Sequence, residues 1–250
     1  MKNGCVQVGR FLILLLLLSC SKKETEASGM GAEKGYATGK IIHADGTPYA
    51  GVKIVVDNTM IYNSYVATVS DEKGFYKVKL PAVGTFISTA FIQKSYNGKT
   101  YKLDFTPDNT DEFSIDGATR NFVFKLTGKR PDNLGYYGGT VNIDKDVLSQ
   151  IYDSENIEFT FVPVGTLVDG SQGVTLKLKH GAPNTENYGK IVDVPIGRYN
   201  VSAEYISGDT RKQLKLKNRV TDGAYANLLQ VDFEPEITWG FNIAVIGYKE

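Results

Sequence analysis

Thiols, imidazoles and indoles are scarce in this 250-residue chain, which holds two cysteines, two histidines and one tryptophan. Both cysteines, Cys5 and Cys20, lie at the N-terminus, so no internal disulfide staples the rest of the chain. His43 is followed by Ala-Asp-Gly and His180 by Gly-Ala-Pro, so neither opens an H-x-x-E or H-E-x-x-H zinc motif. Each histidine reads first as a loop or strand-edge residue. A Ser-His-Asp triad would have to recruit one of them, yet no G-x-S-x-G elbow is present, and Ser171 in GTLVDGSQG reads as a turn. Phosphate-cradling glycine loops of the Walker A and dinucleotide types are also missing. Charge of one sign is equally absent: 28 basic residues face 28 acidic ones, and 26 remain once Lys2 and Arg10 are set aside with the N-terminal segment. A near-neutral chain without a basic stripe is no partner for a phosphate backbone, so nucleic acid is excluded.

Long hydrophobic runs are lacking too. The apolar stretch Phe11–Leu18 is eight residues, whereas a bilayer core needs about 20. Preceded by Lys2 and Arg10, it has the charged and apolar regions of a secretory signal. The following Leu17-Leu18-Ser19-Cys20 resembles the lipobox of bacterial lipoproteins. That resemblance implies cleavage after residue 19, a signal peptide over 1–19, and acylation of Cys20 by lipid, with palmitate among its chains. Cys5 would leave with the signal. The segment SKKETEASGMGAEKG is polar and aperiodic, so residues 20–35 read as a lipidated tether with a reach of roughly 20 Å. Its KKETE stretch is similar to the export signals of Bacteroidetes surface lipoproteins, and Ser21 is not the aspartate that retains enterobacterial lipoproteins at the inner membrane. Together these features imply an outer-membrane address, with the periplasmic and surface-facing sides both open.

Tyr 15, Phe 12 and Gly 26, with turn residues recurring every 8 to 12 positions, indicate an all-β chain. A first module spans residues 36–128. Its Asp45-Gly46 and Asp71 to Gly74 supply turns, and Phe75 to Leu80 alternates before Pro81 stops the strand. About seven strands of this spacing predict a Greek-key sandwich. The order GKIIHADGTPYAGVKI followed by TVSDEKGFYKVKLP resembles the carboxypeptidase regulatory-like domain, a transthyretin-like β-sandwich. Gly39, Gly46, Pro48, Gly51, Val52, Asp71, Gly74, Tyr76 and Pro81 carry that resemblance. It implies a fold for about 90 residues and no function, because the module is an appendage of many different proteins.

The second module, residues 129–250, repeats some of this grammar. GKIVDVPIGRYNVSAEY echoes GFYKVKLPAVGTFISTAF, RKQLKLK echoes KTYKLDF, and NLLQVDF echoes RNFVFKL. We therefore expect a second, Ig-like sandwich in tandem with the first. Val147, Leu148 and Ile151 in KDVLSQIYDSENI predict a short helical crossover.

Carboxylates do not separate a hydrolase from a solvated surface by number alone. Asn142, Asp144 and Asp146, with Asp153 and Glu155, offer oxygen ligands but no EF-hand pattern, so a solvated acidic loop is the better reading and no cofactor or metal is expected. Aromatics are the notable surplus. Tyr62, Tyr65, Tyr136, Tyr137, Tyr188 and Trp239 fall at expected turns, where a ring can serve as a platform for a sugar face. Tyr136, Tyr137 and Trp239 are the candidate ligand platform, against the plainer reading that such rings fill cores. The combined expectation is a non-catalytic outer-membrane or cell-surface lipoprotein that acts as a binding or display module, with glycan as one candidate ligand. An assembly accessory docking an envelope protein is the alternative, and a carboxylate-based hydrolase ranks last.

Overall fold

The computed structural model describes Met1, residues 31–236 and residues 241–250. The signal segment, Cys20, most of the tether and Trp239 lie outside the described residues. The protein is all-β, with two sandwich modules in tandem; the helical content among the described residues is two short 3-10 turns.

The first module contains β1 (Tyr36–Ile42), β2 (Lys53–Asn58), β3 (Tyr65–Val69), β4 (Phe75–Lys79), β5 (Phe86–Tyr96), β6 (Lys99–Pro107), β7 (Ala118–Thr119) and β8 (Phe122–Phe124). Period-two patterning drives their formation. In β2, Ile54, Val56 and Asn58 are buried while Lys53, Val55 and Asp57 face out. Ile41, Phe86, Tyr101, Phe105 and Phe122 complete an aromatic-rich core. Hydrogen bonding runs β3-β2-β5-β6-β8-β1-β4, with β7 off the path beside β1.

The second module contains β9 (Gly139–Lys145), β10 (Ile157–Pro163), β11 (Leu176–Leu178), β12 (Lys190–Val194), β13 (Tyr199–Ser207), β14 (Thr210–Asn218), β15 (Leu229–Val231), β16 (Glu234–Glu236) and β17 (Phe241–Lys249). Its order is β11-β10-β13-β14-β17-β9-β12, the first module's topology strand for strand. In each module a late strand inserts parallel to the first one, β8 beside β1 and β17 beside β9. Two sequence echoes, those pairing β4 with β12 and β6 with β14, match equivalent sheet positions. The third does not. NLLQVDF contains β15, which pairs with β13, and β17 occupies the place of β8. The second module makes an excursion after β14, bridged at Leu216 and Ala226, before its closing strand.

The expected helical crossover is also absent. Asp146 Oδ1 accepts the Leu148 N–H at 2.9 Å and Ser149 Oγ accepts the Ile151 N–H at 3.3 Å. These local bonds offer the backbone an alternative to a helix. Ile151 is buried, while Val147 and Leu148 remain exposed in a loop that ends in a 3-10 turn at Ser154–Asn156.

The motif residues of the first module have specific geometric tasks. Asp71 Oδ1 accepts the N–H groups of Lys73 and Phe75 at 2.9 and 2.8 Å, closing the turn that Gly74 completes at φ 76°. Gly39 lies against the backbone of Arg120, whose carbonyl oxygen would meet any added Cβ.

The modules are held together by the β5–β6 hairpin. Its Asn97-Gly98 turn has both residues at positive φ, the type I′ pattern that suits strand twist. Tyr96 Oη donates to the Thr166 carbonyl at 2.6 Å and accepts the Arg198 N–H at 3.1 Å, both in the second module. Tyr101 Oη donates to the Phe233 carbonyl at 2.9 Å, and Lys99 pairs with Glu234 at 2.7 Å. The equivalent hairpin, β13–β14, carries Ser207, Thr210 and Lys212 at the positions of Tyr96, Lys99 and Tyr101.

Gly39→Ala is expected to lower stability by about 1–3 kcal/mol, the usual range for overpacking. Urea unfolding should show a lower midpoint with an unchanged slope. Tyr96→Phe should cost about 0.5–1.5 kcal/mol, the net worth of a typical hydrogen bond, by removing the partner of the exposed Thr166 carbonyl and the partly buried Arg198 amide. Faster amide exchange at Arg198 would report it locally.

Candidate functional site

The segment between the modules is a built element. Tyr137 donates its N–H to the Gly128 carbonyl at 2.9 Å, Arg130 donates to the Gly135 carbonyl at 2.8 Å, and Lys129 bridges Tyr136. The resulting small hairpin is tied at its base by Asp193, a non-glycine residue at φ 63° where β12 breaks register against β9. The Asp193 carboxylate accepts the N–H groups of Gly128 at 2.8 Å and Gly138 at 3.1 Å, one at each end of the hairpin. At the opposite side, Arg130 Nη1 donates to Asp104 Oδ2 at 2.6 Å and Arg130 Nε to the Tyr136 carbonyl at 2.9 Å.

This hairpin roofs a cleft of about 530 Å³ on the outer face of β2, β5 and β6. That volume falls within the roughly 300–1,000 Å³ typical of small-ligand sites. Its floor is apolar, from Val55, Ile87 and Phe91, and Leu134 and Tyr137 contribute from the roof. Asp57, Lys102, Asp104, Arg130 and Asp132 supply the charges. Phe91 carries the ammonium of Lys102 at 4.9 Å and that of Lys53 at 5.6 Å from its ring centre. Asp104 is held by Arg130 and approached by Lys102 at 3.7 Å. A flat apolar surface flanked by ionic groups suits an amphipathic ligand.

Among the aromatic candidates, Tyr137 follows the plainer reading of a ring that fills a core. Its glycine neighbours favour exposure in the sequence, but the side chain is 7% exposed, with the Arg130 guanidinium 5.4 Å from the ring centre and burial pushing its phenol pKa up. Its ring is part of the roof and no open platform. Tyr136 is half-buried beside it and contributes its carbonyl to Arg130. Trp239 and Cys20 fall outside the described residues. Tyr62, Tyr65 and Tyr188 are exposed and belong to other parts of the surface. The cleft residues on β2, β5 and β6 were not singled out from the sequence. Their one signal is apolar Ile87 and Phe91 on the face of β5 that alternation assigns to solvent.

The histidines are packing residues. His43 stacks on Tyr49 with ring centres 4.1 Å apart. His180 is 5% exposed and places Nε2 2.9 Å from Ser154 Oγ, a pair resembling nucleophile and base. Its Nδ1 faces the Gly181 carbonyl at 2.7 Å, and the imidazole edge meets Tyr188. The imidazole is buried, and the pair fastens two loops. Among the described residues no group of three or more His, Cys, Asp or Glu side chains is arranged for a metal. The acidic stretch considered for calcium has protein partners: Asp146 accepts the Tyr225 hydroxyl at 2.6 Å, and Asp153 that of Tyr205 at 2.8 Å.

No family model matches the sequence, and no curated protein matches it significantly. Among solved structures, the Bacillus anthracis TIE protein aligns at 18% identity over 87% of this chain and 35% of its own, with a TM-score of 0.32. A single B repeat unit of the collagen-binding surface protein of Staphylococcus aureus aligns at 13% identity over 86% of this chain and 98% of its own, with a TM-score of 0.25. The major pilin of Streptococcus pyogenes aligns at 11% identity over 88% and 97%, again with a TM-score of 0.25. This chain thus spans about a third of the TIE protein.

Asp153 provides a test of the loop packing around His180. Hydrogen bonds from Tyr205 and Asn156 hold its carboxyl below the ordinary 3.8. A depressed pKa contributes stability that is present above the unfolded value and lost as pH falls through the folded one. Wild-type urea midpoints should therefore drop below about pH 4, and the drop should be shallower in Tyr205→Phe.

Proposed function

We propose that this protein is a non-catalytic, lipid-anchored binding module of the outer membrane that holds a short glycan in the cleft beneath the inter-module hairpin. The observation that carries the reading is the pairing of an apolar floor, centred on Phe91, with the fixed charges of Asp104, Arg130 and Lys102. Sugars present one apolar face and many hydroxyls, and a ring beside charged hydrogen-bonding groups meets both. The lipobox-like LLSC at residues 17 to 20 supports the anchor, and the close backbone approach at Gly39 in β1 with the turn from Asp71 to Gly74 supports reading the first module as carboxypeptidase regulatory-like.

Glycan-array screening followed by calorimetry tests the ligand class. Phe91→Ala should weaken binding about tenfold, the loss of roughly 1.4 kcal/mol of ring contact. An envelope protein that co-purifies while no glycan binds would replace this reading with the assembly-accessory one. Radioactive palmitate should label the wild type and leave Cys20→Ser unlabelled.

A further inference from the structure

Two loops of the first module are unusually apolar. Residues 58–65, NTMIYNSY, and 81–86, PAVGTF, contain no Asp, Glu, Lys or Arg in a chain that is 22% charged. Met60 is 69% exposed, Val83 68% and Tyr62 fully exposed, with Ile61 and Tyr65 near half. Scattered apolar side chains on a surface need no explanation, but a cluster of this kind marks a contact.

The cluster is also pre-organised. Buried Asn58 accepts the N–H groups of Met60 and Ile61 through Oδ1, at 3.0 and 3.2 Å, and donates from Nδ2 to the Val83 carbonyl at 3.0 Å. Thr59 donates its N–H to the Thr85 carbonyl at 2.8 Å. Gly84, at φ 137°, leaves no room for a Cβ beside the Asn58 amide. One amide side chain thus fixes both loops as a single surface.

Position within the fold supplies the occupant. Leu80, the residue before the second loop, donates its N–H to the Gly35 carbonyl at 2.9 Å, and Tyr36 pairs with Lys79. The N-terminal segment, with its expected lipid at Cys20, therefore joins the module at the end that bears the apolar loops. The second module docks at the other end of β5, about 33 Å away at 3.3 Å per residue.

We propose that Met60, Ile61, Tyr62 and Val83 seat in the interfacial layer of the membrane to which the chain is tethered; the inference rests on the lipid-anchor reading. Tyrosine with aliphatic neighbours is the composition such interfaces favour. The adjoining loop carries Asp108, Asp111 and Glu112, so attraction is apolar and zwitterionic lipid is the surface that fits.

The test uses the full lipidated chain reconstituted in phosphatidylethanolamine–phosphatidylcholine vesicles. Met60→Cys labelled with an environment-sensitive fluorophore is compared with Asp209→Cys at the β13–β14 tip; the acylated Cys20 leaves the introduced thiol as the labelled one. We expect blue-shifted emission at position 60, with most of it lost to brominated lipid, and neither change at 209. Solvent-like emission at 60 from protein that takes up palmitate overturns the loop inference and leaves the anchor standing. Blue-shifted emission without bromolipid quenching assigns the surface to a protein contact and also overturns it. Failure to take up palmitate overturns the anchor, and the loop inference with it.

Discussion

The arrangement depends on a carboxylate held in an uncommon backbone conformation. Asp193 sits at positive φ in a break of the β12–β9 register, and from there its oxygens reach both ends of the inter-module hairpin. An ordinary strand residue would turn its side chain onto a sheet face. The bulge aims it along the sheet edge instead, where the Gly128 and Gly138 amides have no strand partner. The hairpin therefore leaves the second module in a defined direction, and Arg130 can reach Asp104 on the first. The cleft exists because one module sets the position of a roof that closes on the other.

Tyrosine does comparable work on the far side of that contact. Buried Tyr101 and partly buried Tyr96 place their rings 6.1 Å apart and spend their hydroxyls on backbone groups of the second module. Burial pushes the Tyr101 phenol above its usual range, so it remains a neutral donor near neutral pH. The joint resists changes of salt and pH better than one made from surface ion pairs, which contribute little and are screened.

The legibility of these features in the sequence follows the range of the interactions. Turns made by their own residues, such as Asp71 to Gly74, were readable, and so was the duplicated grammar of β4 with β12 and β6 with β14. The supposed helix at residues 145–157 failed because apolar spacing was weighed without Asp146 and Ser149, whose side chains capture the backbone locally. The echo of RNFVFKL in NLLQVDF failed because a similar short apolar string can form an equivalent strand or an inserted one, and only pairing decides. Tyr137 was legible only in part: adjacent glycines announce a turn, but the ring's burial, the plainer of the two readings, depends on packing against the first module around Asp104, distant in sequence. The cleft assembles β2, β5, β6 and the linker, and no local pattern encodes that meeting.

The parallel pairing of the closing strand with the opening strand has a mechanical consequence. In the second module β9 and β17 are neighbours over six paired positions, from Thr140–Ile243 to Lys145–Tyr248. Because they run the same way, the chain enters one at one end of the module and leaves the other at the opposite end. A pull along the chain then slides the two strands past each other, so that their hydrogen bonds share the load instead of opening one rung at a time. The same holds for β1 and β8 over a shorter overlap. Tension would thus meet shear in both modules in succession.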